Sequence, residues 1–126
     1  MKKISYSAVV LDEISRTKLL KHFESVIPPN FEKVAHHMTI NMGEIDSQYE
    51  KFLGMKVDLK VTHIGIDKTV MAVGVNGFPT NNKIPHITLA VDRANGGKPF
   101  HSNKITDWRP ISFSVKLSGK VEEVGF

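Results

Sequence analysis

The chain has 126 residues, 40% hydrophobic and 24% charged, with a formal net charge of +4 and no cysteine. That length fits one domain with a core of its own, so residues 1–126 are read as a single domain. The missing thiols exclude disulfides, thiolate zinc sites, iron–sulfur clusters and cysteine nucleophiles, while the mild basic excess suits an anionic ligand without specifying one.

Residues 4–11 (ISYSAVVL) read as a strand. Over 13–27, Leu19, Leu20, Phe23, Val26 and Ile27 share one helical face, with Asp12 or Ser15 as N-cap and Pro28-Pro29-Asn30 as the stop. Residues 33–42 (KVAHHMTINM) return to strand and close at Gly43, giving a β-α-β unit. A short helix is expected near 47–53 with Ser47 as its cap, then strands at 55–66 and 69–76 turning at Asp67-Lys68. The Asn-, Gly- and Pro-rich stretch 76–83 reads as a loop. Strand 85–92 (PHITLAVD) follows, then a loop over 93–99, a helical turn over 100–107, and strands over 110–118 and 120–125. No run of 18 apolar residues occurs, and Met1-Lys2-Lys3 leads into an alternating segment, not a signal-peptide core. A soluble protein of the cytoplasm with no membrane contact and no obligatory protein partner is expected.

The only internal repeat carries chemistry. His37-Met38-Thr39-Ile40 and His86-Ile87-Thr88-Leu89 are both His, apolar, Thr, apolar, each on an expected strand. Alternate strand residues share a face. His37, Thr39 and Asn41 therefore share one face and His36, Met38, Ile40 and Met42 the other; His86, Thr88 and Ala90 oppose the aliphatic Ile87, Leu89 and Val91. One His-x-Thr is ordinary strand surface; two on two strands suggest a site. Imidazole titrates near neutrality, so one ring can accept a proton while its twin donates one. Phosphodiester cleavage needs both events. A threonine hydroxyl beside each ring can donate to a non-bridging phosphate oxygen as charge grows there. The scheme needs no metal and no cofactor, and neither motif supplies the carboxylate or third histidine usual in a metal shell. A metal hydrolase built on His37, His86 and His101 or Asp92 is therefore disfavoured.

At Ala35-His36-His37-Met38-Thr39-Ile40 and Pro85-His86-Ile87-Thr88-Leu89-Ala90 the sequence resembles the 2H phosphoesterase superfamily. Lys98-Pro99-Phe100-His101-Ser102-Asn103, leading to Trp108, is similar to the stretch after the second motif in tRNA ligase-related and small phage members. The resemblance implies an α+β, bilobal fold: two antiparallel β-rich lobes with pseudo-two-fold symmetry, about two helices and a central cleft. It implies His37 and His86 as the acid–base pair and Thr39 and Thr88 as phosphate donors. The implied substrate is a nucleotide or RNA-derived phosphodiester: a cyclic nucleotide, a cyclic oligonucleotide signal or an RNA 2′,3′-cyclic phosphate. Degradation of cyclic oligonucleotides by a phage anti-defence enzyme and non-catalytic binding of a nucleotide or RNA end are the alternatives. Many members have a helix before the second motif where this chain has the loop-like 76–83, so its second lobe is expected to be reduced.

Tyr6, Phe100 and Trp108 are candidate platforms for a base, although strand aromatics are commonly core. Asn41 shares the His37 face, and Lys98 and Arg93 are candidate phosphate contacts. His36, out of phase with His37, is expected to be structural, facing the core or the opposite surface. His63 and His22 are expected to be structural or surface residues, and Ser102-Asn103 to cap a short helix.

Overall fold

In the computed structural model, which describes residues 3–125, the elements in chain order are β1 (Ile4–Leu11), α1 (Glu13–Phe23), β2 (Glu32–Lys33), β3 (His37–Met42), β4 (Lys56–Ile66), β5 (Val70–Asn76), β6 (His86–Val91) and β7 (Trp108–Gly125). Short 3-10 turns cover Ser47–Phe52, Arg93–Asn95 and Pro99–Lys104. The sheet order is β2-β6-β3-β1-β7-β4-β5, and β5 also pairs with β6. Six strands therefore close into an antiparallel barrel, and β2 adds a short stretch along the β6 edge. Closure removes the open edges that a flat sheet would present. Among the described residues the fold is mostly antiparallel sheet with one α-helix, and the second helix expected, near 47–53, is the 3-10 turn Ser47–Phe52. The strand order establishes a closed ring; the two-lobed, pseudo-symmetric arrangement implied by the resemblance goes beyond it. No helix among the described residues is long and apolar enough to cross a membrane.

The barrel interior is filled from alternate strand positions, as the sequence pattern requires. Met38 and Ile40 of β3, Leu59 and Val61 of β4, Ile87 and Leu89 of β6, and Leu117 and Val121 of β7 are all buried in one cluster. Asp12 caps α1 by accepting the Ser15 amide hydrogen at 2.7 Å. The helix seats Leu19 and Phe23 on the same core. It ends at Phe23, earlier than expected, because the Phe23 carbonyl accepts from the amides of Val26 and Ile27 in a closing turn.

Two further departures from the sequence pattern matter for the site. Expected strand 33–42 is two strands, broken at 34–36. Ala35 there has φ of 43°, a left-handed conformation that costs about 1 kcal/mol outside glycine. It is held by the amide of Ala35 donating to the Thr88 carbonyl and that of Leu11 donating to the His36 carbonyl, both at 2.9 Å. Arg16 adds a bond from Nε to the Val34 carbonyl at 3.1 Å. The expected break between 118 and 120 is absent. Gly119 is a point of close approach, since a Cβ there would lie 2.7 Å from the Val10 carbonyl oxygen. At Gly119 and Lys120 β7 pairs with both β1 and β4, so one long strand serves both sides of the barrel.

Ile87 is fully buried and lies opposite both Met38 and Val73. Ile87→Ala is expected to lower stability by about 2 to 5 kcal/mol, the range for truncating a packed core aliphatic. Urea unfolding with an unchanged m-value checks it; a loss under about 1 kcal/mol would contradict this packing.

Candidate active site

β3 and β6 meet through a single pairing, Met38 opposite Ile87. The two motifs thus run side by side in opposite directions, and antiparallel counting puts His37 beside Thr88 and Thr39 beside His86. With Met38 and Ile87 pointing into the core, the four flanking side chains project from the other face. The four residues picked from strand parity are brought together.

The two rings sit in different surroundings. His86 is buried, and its Nδ1 lies 2.7 Å from the Ile84 carbonyl oxygen. A carbonyl can only accept, so Nδ1 carries the hydrogen and Nε2 of the neutral ring holds a lone pair. Burial pushes the His86 imidazole below the ordinary histidine range, while the bond to Ile84 works in the opposite direction. His37 stacks on Tyr6, ring centres 4.5 Å apart. The Tyr6 hydroxyl is 3.5 Å and His36 Nδ1 2.9 Å from His37 Nδ1. Burial, then the positive charges of His36 and His86, push the His37 imidazole down to about 4. Burial also raises the Tyr6 phenol, which keeps its proton.

The threonines differ as well. Thr88 Oγ1 donates to the Pro99 carbonyl at 3.1 Å and lies 2.8 Å from Ser102 Oγ. Its single hydrogen is therefore committed to the 3-10 turn Pro99–Lys104, which leaves no hydrogen for a phosphate in this arrangement. The Thr39 carbonyl accepts from Thr80 Oγ1 at 2.7 Å, and the Thr39 hydroxyl has no protein partner among the described residues.

His36 does not face the core. The left-handed Ala35 takes it out of the β3 alternation, leaving it exposed with its ring edge-on to His37. Of the candidate binding residues, Tyr6 is at the site, but His37 rather than a free base covers its ring. The Asn41 amide is used within its own turn, donating to the carbonyls of Met42 and Glu44 and accepting from the Asp46 amide. Lys98 is exposed and its backbone amide donates to His101 Nδ1 at 3.2 Å. Exposed Phe100 packs on His101. Arg93 is paired with Glu32. His22 stacks on Phe113, and His63 Nδ1 lies 3.0 Å from Thr62 Oγ1. Trp108 belongs to the site region, with its ring centre 6.2 Å from that of His86.

Beside His86 lies a pocket of about 540 Å³. Its walls are residues 81–84, residues 102–106 and Trp108. Apart from Trp108, sequence reasoning missed these residues as ligand contacts. The polar stretch 76–83 was legible only as a loop, and Ser102-Asn103 only as a cap; Ser102 is in fact buried against Thr88. Asp92 is buried at the far end of β6, one carboxylate oxygen accepting from Asn95 and the other without a partner. Among the described residues no three His, Asp or Glu side chains converge at metal-binding spacing.

The family model described as the fungal tRNA ligase phosphodiesterase domain matches residues 17–126, a span that includes both motifs. No curated protein matches the chain.

The depressed His37 imidazole has a checkable consequence. The unfolded ring protonates near the ordinary 6.5 and the folded one at about 4, so the unfolded state binds more protons between those values. The contribution of His37 to stability is fully present above about pH 6.5 and is lost as pH falls through about 4. Imidazole NMR should give a His37 midpoint near 4, and His36→Asn should raise it. An ordinary midpoint in the wild type would contradict this site.

Proposed function

The chain belongs to the tRNA ligase phosphodiesterase family of the 2H phosphoesterases, and we propose that it hydrolyses a nucleotide phosphodiester by two-histidine acid–base catalysis, with a 2′,3′-cyclic phosphate as the simplest such ester. The observation that carries this reading is the Met38–Ile87 pairing, which brings two imidazoles to one face of the barrel. Family membership supports the reaction class, and the geometry supports a division of labour.

His86 is the base. Its Nδ1–H is held by Ile84, so Nε2 offers a lone pair to a water molecule. The water oxygen attacks phosphorus as His86 takes one of its protons. The bond from phosphorus to one ribose oxygen breaks, and that oxygen takes a proton from Nε2 of His37. In the imidazolium form both ring nitrogens of His37 carry a hydrogen, so Nδ1–H donates to His36 Nδ1 or the Tyr6 hydroxyl while Nε2–H faces the leaving oxygen. A ring of depressed basicity makes a strong acid once protonated, and a phosphate anion bound between the rings favours the protonated form. The Thr39 hydroxyl donates to a non-bridging oxygen. Thr88 positions the Ser102 turn instead.

His37→Ala and His86→Ala should each lower kcat by about 10²- to 10⁴-fold on a 2′,3′-cyclic phosphate. Thr39→Ala should lower it by about 10²- to 10³-fold, the range for one transition-state donor. An ester with a p-nitrophenolate leaving group needs no proton donor, so it should rescue His37→Ala and leave His86→Ala impaired. Rescue of His86→Ala alone would reverse the two roles, and full activity in either alanine variant on the cyclic phosphate would end the two-histidine reading. Wild-type turnover should persist in EDTA.

A further inference from the structure

We propose that the pocket beside His86 is a nucleoside subsite with a second phosphate position made by Lys83 and Lys104, so that the preferred substrate is an oligonucleotide, linear or cyclic, carrying a second phosphate one nucleoside from the scissile one. This rests on the phosphodiesterase reading and adds the substrate class to it.

His86 lines the pocket, whereas His37, Thr39 and Thr88 do not. The cavity therefore lies on the His86 side of the paired motifs. Its volume, about 540 Å³, falls within the range of ordinary small-molecule sites, about 300 to 1,000 Å³. Lys83 and Lys104 both line it, one from the loop before β6 and the other from the 3-10 turn after it. No carboxylate lines the pocket. Among the described residues neither lysine belongs to an ion pair, and the adjacent Asp107 is paired with Arg109 at 3.2 Å. Two lysines lining one cavity with no acidic counterpart favour an anion there.

The space before those cations has the surface a nucleoside needs. Asn81, Asn82 and Asn103 line it, and an asparagine amide can donate to and accept from base edges or ribose hydroxyls. Trp108 supplies an aromatic wall fixed from two sides. Its Nε1–H donates to the Ile105 carbonyl at 3.0 Å. Its ring lies over Gly65, where a Cβ would stand 2.6 Å from Cε3. With its one hydrogen-bond donor used internally, the indole offers a ligand only its ring surface, which suits stacking without base preference. The wall is also tied to the second motif, because Ser102 lines the pocket and bonds Thr88.

The test compares adenosine 2′,3′-cyclic phosphate with two probes that carry a second phosphate, adenylyl-adenosine 2′,3′-cyclic phosphate and cyclic di-adenylate. The wild type and the double variant Lys83→Met, Lys104→Met are assayed on all three. Binding of both two-phosphate probes is also measured by calorimetry, in a His37→Ala background that leaves them uncleaved. The wild type should favour at least one two-phosphate probe by about tenfold or more in kcat/KM, mainly through KM, as expected for charge-assisted contacts. The lysine variant should lose that preference while keeping turnover of the one-phosphate ester within about twofold, since its chemistry is untouched. Which two-phosphate probe is favoured separates a linear from a cyclic ligand. No preference in the wild type, or equal losses on all three esters, would overturn the subsite. Turnover of none of them by the wild type would instead overturn the phosphodiesterase reading. The calorimetry then decides the subsite alone: lysine-dependent binding sustains it, and absent or lysine-independent binding ends it.

Discussion

One backbone pairing organises this protein. Met38 opposite Ile87 is the sole bridge between β3 and β6, and with β5 on the other side of β6 it closes the ring of strands. Both residues are fully buried. The apolar position inside each His-x-Thr motif therefore lies in the barrel wall, with its side chain in the core. The polar positions flanking it can only project from the opposite face. A slip of one residue would invert every side chain along the strand. Core packing at Met38 and Ile87 thus fixes both the fold and the placement of His37, Thr39, His86 and Thr88.

Strand parity alone carries that logic most of the way from sequence. It separates His37 from Met38 and His86 from Ile87, and it identifies the aliphatic face of β6. It fails at His36, because alternation holds only while the backbone stays extended. Ala35, with φ of 43°, is a non-glycine residue in a conformation that local sequence gives no reason to expect. Its consequence is local: an exposed second imidazole comes within 2.9 Å of the first. Gly119 was misleading for the opposite reason, since glycine marks either a break or a close approach, and only the neighbouring strand decides which. The register also slips within each motif, at Ile40 against Ser7 and Ala8 and at Leu89 against Met71 and Ala72. Such bulges re-aim side chains near active sites, yet nothing in either motif announces them. The pocket was the least legible feature, because its walls come from an irregular loop and a 3-10 turn that only the folded chain brings together.

The two halves of the site look alike in sequence and behave differently in space. His86 is held by a carbonyl, which fixes its hydrogen on Nδ1, whereas His37 is held by a phenol and a second imidazole, each able to give or take a hydrogen. Thr39 has a hydroxyl available, whereas Thr88 gives its hydrogen to Pro99. A repeated motif thus supplies the residue types, and the surroundings make its two copies chemically unequal. The same asymmetry places the pocket on one side only: the β6 side carries the loop and turn that enclose it, and the His37 side carries Tyr6 and His36 instead.

The central claim is that both imidazoles address one phosphate. Nitrogen NMR of the two rings during titration with adenosine 3′-monophosphate tests it most directly. The account predicts that the His37 and His86 resonances shift together along a single binding curve. Perturbation of one ring while the other stays at its free position would contradict it.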